Sequence, residues 1–361
     1  MVKLVDRYVG RAAFLGILLV WCTVTALYIL FSTLDELRST QGNYGTVDAL
    51  WFVALTTPRM AYQVFPIAAL LGALVGVGGL AASNELVAFR TSGTSRLRLS
   101  VAALAGTAVV MIPVVLMAEW VAPAAEQQAR AFRLSEIVGQ PIIGGARGMW
   151  MRDGADIVNI QRPLLHADRG RQSVDFTNVV IYHWSDRINL ESITRAARAF
   201  HDGSGWTLKN LSVVRFDAEG ASVEHFDSQP WQTDVKPELL DSAVTRPVLL
   251  SMRSLWEYLQ FLGENRLDDT VYQEAFWEKA AYPFSVIALV LAGMPFVFGQ
   301  ARSQNLGVRL FLGMTVGGLY MIAARSIQKV GSVYDVPASL TFTLPVVLLG
   351  IVAIVVLRRS V

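Results

Sequence analysis

The sequence predicts a polytopic α-helical membrane protein, with six transmembrane helices in two groups of three and an all-β domain inserted between the groups. Three observations predict this fold class. The chain of 361 residues is 53% hydrophobic and only 17% charged, whereas about a quarter of the residues of a soluble domain are charged. Six apolar stretches are long enough to cross the roughly 30 Å hydrocarbon core of a bilayer. A polar insert of alternating sequence separates the third stretch from the fourth.

The six apolar stretches define the expected spans, since a helix needs about 20 residues to cross the hydrocarbon core. The first run is longer than the roughly 7–15 apolar residues of a signal peptide, and no small-x-small cleavage site follows it, so we expect a retained helix. Gly72 and Gly76, and likewise Gly313 and Gly317, have the spacing that lets membrane helices approach closely. The spans are expected at Ala12–Leu34, Met60–Ala82, Leu97–Val121, Ala275–Phe298, Gly307–Ala324 and Pro337–Leu357.

Basic residues in the short loops predict the orientation, because cytoplasmic loops carry the excess of lysine and arginine. If the N-terminus is cytoplasmic, ten basic residues lie on the cytoplasmic side and four lie in the opposite short loops. Both termini are then cytoplasmic, and the insert lies on the outer side. The ten are Lys3, Arg7, Arg11, Arg90, Arg96, Arg98, Arg302, Arg309, Arg358 and Arg359, and the four are Arg38, Arg59, Arg325 and Lys329.

The polar insert has the pattern of a small β domain. Runs of alternating apolar and polar residues, such as Asn178–Trp184 and Trp206–Phe216, are separated by turn residues. Evenly spaced strands of this kind are typical of a sandwich, a barrel or a jelly roll. We expect the β core at about 140–245.

The chain therefore divides into three parts. Residues 1–121 hold the first three spans, residues 122–270 form the insert, and residues 271–361 hold the last three spans. Within the insert, Glu126–Val138 and Ser254–Leu262 have helical patterns and are expected to join the β core to the third and fourth spans.

Catalytic and metal chemistry find no support in the sequence, so we expect no catalytic residue, no metal site and no cofactor in this chain. The net charge of +2 does not favour a nucleic-acid partner. Cys22 is the sole cysteine, which excludes an internal disulfide. No phosphate-binding Gly-x₄-Gly-Lys-Ser/Thr loop is present, and Ser204 lacks the frame of a nucleophile elbow. The four histidines match no zinc spacing; they are His166, His183, His201 and His225.

One polar interruption, Ser83–Ser100, lies between the second and third spans and combines a carboxylate, three arginines and an aromatic residue. Good helix formers predict a short helix from about residue 84 to residue 93, with Glu85 in its first turn and Gly93 at its end. Leu86 and Phe89 fall on one side and would form an exposed apolar knob. The segment is either a solvated turn or a helix that docks into a cleft on a cytosolic partner through charge and a buried anchor.

The run from Glu85 to Gly93 resembles the coupling helix of the lipopolysaccharide export permeases, the LptF/LptG family, and the chain is most similar to the LptG type. The resemblance covers both groups of spans and the insert. It is most specific at the coupling helix and at the Glu-Trp-Val-Ala-Pro block. The matching segments are Leu4–Gly10, Phe65–Leu74, Glu85–Gly93, Glu119–Pro123, Glu126–Gln127, Ala129–Arg130, Gly148–Trp150, Phe298–Gly299, Arg302–Ser303 and Gly307–Arg309.

The resemblance implies a non-catalytic permease subunit of an ATP-driven transporter in the bacterial inner membrane. Its implied partners are the homologous permease LptF, a cytosolic LptB dimer that binds ATP and magnesium, and the membrane-anchored protein LptC. The implied β domain is a periplasmic jelly roll. ATP-driven closure would expel lipopolysaccharide from a cavity between the permeases toward a protein bridge to the outer membrane. The implied ATPase-coupling residues are Glu85, Leu86, Phe89, Arg90 and Gly93.

Lipid A carries phosphates, so arginines at the outer ends of the spans are candidate ligands for it. Arg130 and Arg133 match family positions, and Arg38 and Arg59 lie at the ends of the first and second spans. Two of these arginines have an alternative: Arg130 could form a helical ion pair with Glu126, and Arg38 could pair with Asp35. Ser32 stands where the family often has a lysine, which predicts an altered set of headgroup contacts.

Four apolar residues are candidates for the cavity wall, although each is more commonly a packing residue. They are Phe65 and Leu70 on the second span, and Phe311 and Tyr320 on the fifth. A different class of function, a membrane-anchored sensor or adaptor whose β domain binds a ligand without transport, remains open. That class predicts that the Ser83–Ser100 segment is dispensable.

Overall fold

The computed structural model describes most of the chain, and the ranges it describes contain nine α-helices and seven β-strands. Helices occupy both ends of the sequence, and the strands lie between them. The described residues are 4–38, 44–138, 142–145, 148–153, 156–168, 171–184, 189–201, 205–217, 220–231, 233, 247–264, 268–298, 306–334 and 336–359.

Six helical segments are long and apolar enough to cross a membrane, which confirms the predicted class of polytopic membrane protein. The third is continuous from Arg96 to Arg133, because α4 passes through a π-helical turn at Met117–Val121 directly into α5. The helices are α1 (Leu4–Arg38), α2 (Thr46–Ala82), α3 (Glu85–Thr91), α4 (Arg96–Leu116), α5 (Ala122–Val138), α6 (Met252–Glu264), α7 (Thr270–Phe298), α8 (Leu306–Val333) and α9 (Ala338–Arg359).

Helix α2 lies at the centre of the helical core, where it contacts α1, α4, α7 and α8. Its approach to α1 is a backbone contact. A Cβ atom on Gly76 would lie 2.1 Å from the carbonyl oxygen of Ala12, and one on Gly16 would lie 2.3 Å from the carbonyl oxygen of Gly72. Only glycine permits this spacing. The small residues of the second span therefore fix the position of the first.

The second group of spans meets α2 through leucine side chains. Leu70 reaches Gly293 of α7 and Gly317 of α8, and Leu74 reaches Gly313 of α8. A Cβ atom on any of these glycines would come within 3.0 Å of a leucine methyl group. Glycines on α7 and α8 thus form the holes into which α2 packs, and α2 joins the two halves of the chain.

The insert forms one antiparallel sheet of seven described strands, which confirms the predicted all-β domain. Each strand pairs with its neighbour in chain order, as in a meander. The crossover pairings of a jelly roll are not among the pairs that these strands form. The strands are β1 (Ile142–Gly145), β2 (Gly148–Asp153), β3 (Asp156–Asp168), β4 (Arg171–Trp184), β5 (Leu190–His201), β6 (Trp206–Asp217) and β7 (Gly220–Trp231).

Two asparagines kink the sheet at one level. Asn178 on β4 and Asn210 on β6 have left-handed φ values of 57° and 49°, a conformation that asparagine tolerates better than most residues. Leu208 and Leu211, on either side of the kink in β6, are both buried although they lie three residues apart. The kink therefore keeps one face of the long strands apolar. The core on that face contains Val158, Ile160, Phe176, Val179, Ile181, Ala196, Ala199, Trp206, Leu208, Leu211, Val213 and Trp231.

Candidate functional site

Helix α3 is the short helix between the second and third spans. It begins after Asn84, whose φ of 63° turns the chain sharply away from the end of α2. At the other end, Gly93 has a φ of 89°, and its N–H donates a hydrogen bond to the carbonyl oxygen of Arg90 over 2.9 Å. Glycine adopts this conformation without strain, so Gly93 ends the helix. Two left-handed residues thus set α3 apart from both spans.

Leu86 is not part of an exposed knob, and this corrects the sequence-based expectation. Its side chain is only 4% exposed and belongs to the buried cluster that includes Val9 of α1 and Leu99 of α4. A helix of seven residues has little stability of its own, so burial of Leu86 holds α3 against the bundle. Phe89 is partly buried, and Arg90 is exposed. Phe89 and Arg90, with Glu85 beside them, are thus among the accessible side chains of α3.

The carboxylate of Glu85 is held in place by two hydroxyl groups. Ser83 donates a hydrogen bond to Oε1 over 2.6 Å, and the Tyr8 hydroxyl also donates. These hydrogen bonds, the Ser83 bond foremost, hold the pKa of Glu85 below its ordinary value, so the residue is charged at neutral pH. The Tyr8 ring meets Phe89 edge-on, with 6.1 Å between ring centroids. Tyr8 of α1 therefore contacts two of the predicted coupling residues.

An ion pair beside α3 joins the first turns of two spans. Arg98 of α4 binds Asp6 of α1 through two of its three guanidinium nitrogens, with Nε 3.0 Å from Oδ1 and Nη2 2.7 Å from Oδ2. A bidentate pair of this kind fixes orientation as well as distance. The Arg98–Asp6 pair thus joins the start of α1 to the start of α4, next to α3.

A second charged site lies where α2 meets α5, toward the β domain. The Glu126 carboxylate is 1% exposed and accepts hydrogen bonds from two arginines. Nε of Arg59 lies 2.9 Å from Oε2, and Nε and Nη2 of Arg130 lie 3.1 Å and 3.0 Å from Oε1. The helical pair considered for Arg130 is therefore present, and Arg59 joins it from another helix. The trio of Arg59, Glu126 and Arg130 carries a net positive charge.

Arg133 occupies a separate aromatic and acidic niche one turn further along α5. Its Nε lies 2.9 Å from the carboxylate of Glu36 on α1, and its guanidinium lies over the rings of Tyr44 and Phe52 at 6.0 Å and 5.3 Å. The buried Tyr44 hydroxyl donates to Glu36 over 3.0 Å. Burial, and then Glu36, raise the pKa of Tyr44, so the hydroxyl remains a donor.

Three of the four predicted phosphate-binding arginines are thus held by α2 and α5, whereas Arg38 lies apart from them. Arg38 is 4.0 Å from Asp35, and both side chains are more than four-fifths exposed. A pair so exposed contributes little. The roles of Glu36 and Tyr44 gave no sequence signal, because their partner Arg133 is distant in the chain.

Phe65 and Leu70 do not line an open cavity in this chain, which corrects their predicted position. Both are at most 1% exposed in the bundle core. Phe65 packs edge-on against Trp21 of α1, with 5.9 Å between ring centroids, and Leu70 fills the space beside the glycines of α7 and α8. The central position of α2 leaves neither residue a free face. On α8, Phe311 is 68% exposed and Tyr320 is partly buried.

Glu119, in the π-helical turn, connects the third span to the stalk of the β domain. Its carboxylate accepts hydrogen bonds from the backbone N–H groups of Met252 and Arg253 over 2.9 Å and 3.3 Å, and thereby caps the start of α6. Nζ of Lys279 on α7 lies 3.8 Å from the same carboxylate. Three helices therefore converge on one side chain that the sequence marks only as an acid near a span end.

The residues that the structure describes contain no group of three histidine, cysteine or acidic side chains placed to hold a metal ion. His183 contacts Asp156 and has Nε2 3.6 Å from Glu191, so it lies among polar side chains on the surface of the sheet.

Six membrane-spanning helices, a β domain inserted after the third, and a short charged helix between the second and third define a polytopic membrane protein with an inserted β domain. The family model described as lipopolysaccharide export system permease LptF/LptG matches residues 7–359, and the chain belongs to that family. This confirms the family resemblance noted from the motifs.

Two curated relatives are LptG proteins. The lipopolysaccharide export system permease protein LptG of Haemophilus influenzae is 30% identical over 343 residues, which cover 94% of this chain and 93% of that protein. The protein of the same name from Escherichia coli K12 is 28% identical over 359 residues, which cover 98% of each chain. Both similarities extend over the two groups of spans and the insert.

Replacement of Glu126 tests the charge pairing at the β-domain end of the bundle. Glu126→Gln removes the buried charge that Arg59 and Arg130 share, and we expect a loss of about 1–3 kcal/mol of stability, since both arginines reach solvent. Thermal unfolding of the detergent-solubilised protein measures the change as a lower Tm. The control is Glu257→Gln, which breaks an exposed pair with Arg253 and is expected to change stability by less than about 0.5 kcal/mol. Equal Tm values for the two variants would contradict this account.

Proposed function

We propose that this chain is the LptG-type permease subunit of an ATP-driven transporter that extracts lipopolysaccharide from the outer leaflet of the bacterial inner membrane. The transporter passes it to a periplasmic protein bridge toward the outer membrane. Family membership supports the substrate. The observation that carries the proposal is that one helix, α2, has a charged site at each membrane face. Arg59 on α2 and Ser83, the residue directly after it, are 24 residues apart, about 36 Å along a helix, which matches the roughly 30 Å hydrocarbon core plus part of each interface.

The bias of basic residues orients these two sites. Ten basic residues on the α3 side against four in the opposite short loops favour a cytoplasmic α3, with both termini cytoplasmic and the β domain in the periplasm. The Arg59–Glu126–Arg130 trio then lies at the outer interface, at the depth of the outer-leaflet headgroups. This placement fits extraction from that leaflet.

In this orientation, α3 is the coupling helix that docks on a cytosolic ATPase, LptB. Glu85 offers a fixed charge, Phe89 offers an aromatic side chain, and Arg90 offers an exposed cation. Leu86 and Gly93 contribute by anchoring and ending the helix. A docked interface commonly depends on a few such residues. ATP and magnesium are bound by the LptB dimer, and this chain requires no cofactor of its own and performs no catalysis.

The arginines at the other end are proposed to bind the phosphates of lipid A. Arg59 and Arg130 share the single carboxylate of Glu126. A phosphate can therefore bind the same two guanidinium groups without displacing all of their partners. The planar guanidinium of Arg133 lies over two aromatic rings and beside the carboxylate of Glu36. A guanidinium group can bind two phosphate oxygens at once. The exposed Arg38 is a weaker, peripheral contact.

The acyl chains are proposed to occupy a cavity that this chain forms only with the second permease, LptF. Exposed apolar residues along α1 and α8, including Phe311, supply one wall of that cavity, and Tyr320 lies at its edge. Phe65 and Leu70 act behind this wall as packing residues. LptC receives the lipopolysaccharide on the periplasmic side.

The coupling role of α3 is tested with Glu85→Ala in the assembled complex reconstituted in proteoliposomes. We expect ATP-driven lipopolysaccharide release to fall at least about tenfold, the scale of one lost charge-assisted contact. The matched control, Glu257→Ala, removes an exposed carboxylate from α6 and is expected to leave release unchanged. If Glu85→Ala releases lipopolysaccharide at the wild-type rate, coupling does not run through Glu85. If a protein that lacks the whole Ser83–Ser100 segment still performs its function in the cell, the sensor or adaptor class is favoured instead.

The phosphate role is tested with Arg133→Gln by measuring the affinity of the purified complex for lipopolysaccharide and for the same lipid after removal of its lipid A phosphates. Loss of one charge-assisted contact predicts about a tenfold weaker affinity for the phosphorylated lipid and little change for the dephosphorylated one. Arg253→Gln, on the exposed face of α6, is the control. Equal weakening for both lipids would show that Arg133 acts through packing rather than phosphate binding.

A further inference from the structure

One buried cation lies where the start of α8 meets the end of α2. Arg309, the fourth residue of α8, is 2% exposed. Its Nη1 atom donates a hydrogen bond to the carbonyl oxygen of Gly78 over 3.0 Å. Gly78 lies in the last turns of α2, and 231 residues separate the two partners in the chain. The contact therefore joins the first group of spans to the second.

The chemistry of this contact is that of a cation at a helix C-terminus. The carbonyl groups in the last turns of α2 form the negative end of its dipole, which favours an arginine. Burial of a guanidinium is costly unless its donors are bonded, so the side chain holds its position strongly once that bond is made. Gly78 has no side chain between the carbonyl and Arg309, and the nearest atoms to a Cβ placed there are Nη1 of Arg309 at 3.6 Å and Cδ1 of Leu306 at 3.9 Å. The start of α8 thus lies directly on the end of α2.

The contact between Arg309 and Gly78 lies between the proposed coupling helix, α3, and the proposed cavity wall on α8. Along the chain, Gly78 precedes Glu85 of α3 by seven residues. On the other side, Arg309 precedes the exposed Phe311 by two residues and lies on the same helix as Tyr320. A displacement of α3 that moves the end of α2 must either carry the start of α8 with it or break a buried, charge-assisted bond.

We propose that Arg309 is a positioning residue that transmits movement of the coupling helix from the end of α2 to α8, the helix that carries part of the cavity wall. This inference rests on the proposed transport function and deepens it. Arg309 contacts neither nucleotide nor lipid. It makes α3, the end of α2 and the start of α8 move as one unit during the ATPase cycle.

The first test compares the number of lipopolysaccharide molecules released per ATP hydrolysed by the assembled complex in proteoliposomes. Arg309→Met keeps an apolar stem of similar length but removes the donors. We expect ATP hydrolysis within about twofold of wild type and release per ATP lower by at least about tenfold. Arg309→Lys, which retains a single donor and the charge, is expected to recover part of the release. The control Lys329→Met removes an exposed cation from the far end of α8.

Wild-type release per ATP from Arg309→Met would overturn the proposal, because a merely structural contact would leave the ratio unchanged. Equal loss in Arg309→Lys and Arg309→Met, with hydrolysis intact, would also count against the donor role. Failure of the wild-type complex to release any lipopolysaccharide would instead refute the proposed function. The two failures are therefore distinguishable.

A second test does not depend on removing the arginine. In a Cys22→Ser background, Ala82→Cys, at the exposed last residue of α2, and Leu306→Cys are joined by a flexible bifunctional thiol reagent that links the end of α2 to the start of α8 in the assembled complex. If the two helix ends move as one unit, linked complexes release lipopolysaccharide at a rate close to that of unlinked ones. If the link abolishes ATP-driven release while each single cysteine variant with the same reagent releases normally, the helix ends must separate and the proposal is wrong.

Discussion

The arrangement of the membrane helices depends on the backbone contact between α1 and α2. Gly16, Gly72 and Gly76 present no side chain at the closest point of this contact, and an added methyl group at any of them would lie within 2.3 Å of the neighbouring helix. Hydrocarbon offers no hydrophobic drive for helices to associate, so close packing of this kind supplies much of the attraction. With α1 fixed in this way, α2 becomes the central helix, and its two ends determine where α3 and the arginine cluster lie.

The two ends of α2 are stabilised by different kinds of interaction. On the α3 side, an apolar anchor, Leu86, and short hydrogen bonds to Glu85 hold a small helix whose outer face stays accessible. On the β-domain side, arginines share the buried carboxylate of Glu126 and keep a net positive charge. An accessible, oriented helix suits a protein partner, whereas a preformed cluster of guanidinium groups suits an anionic headgroup. The difference in construction is consistent with one end engaging an ATPase and the other a phosphorylated lipid.

Local patterns in the sequence predicted the parts of this fold that depend on neighbouring residues. The lengths of the apolar runs predicted six spans, and the alternation in the insert predicted an all-β domain. The glycine spacing at Gly72 and Gly76 predicted a close helix contact. Contacts between distant residues could not be predicted in this way. Hydropathy cannot tell that Leu86, Phe65 and Leu70 face the core rather than a partner or a cavity, because that depends on which helices surround α2. The pairs Arg59–Glu126 and Arg133–Glu36 likewise arise only once α1, α2 and α5 are packed.

The most direct test of the central claim, that ATP-driven movement at α3 changes the lipid-facing surface of this chain, is a photo-crosslinking measurement on the assembled complex. A photo-reactive amino acid replaces Leu319, an exposed residue on α8 next to Tyr320, and the lipopolysaccharide adduct is quantified before and after addition of ATP. The account predicts a strong adduct without ATP that decreases as ATP is hydrolysed. An intact, hydrolysing complex whose adduct is absent, or is unchanged by ATP, would contradict it.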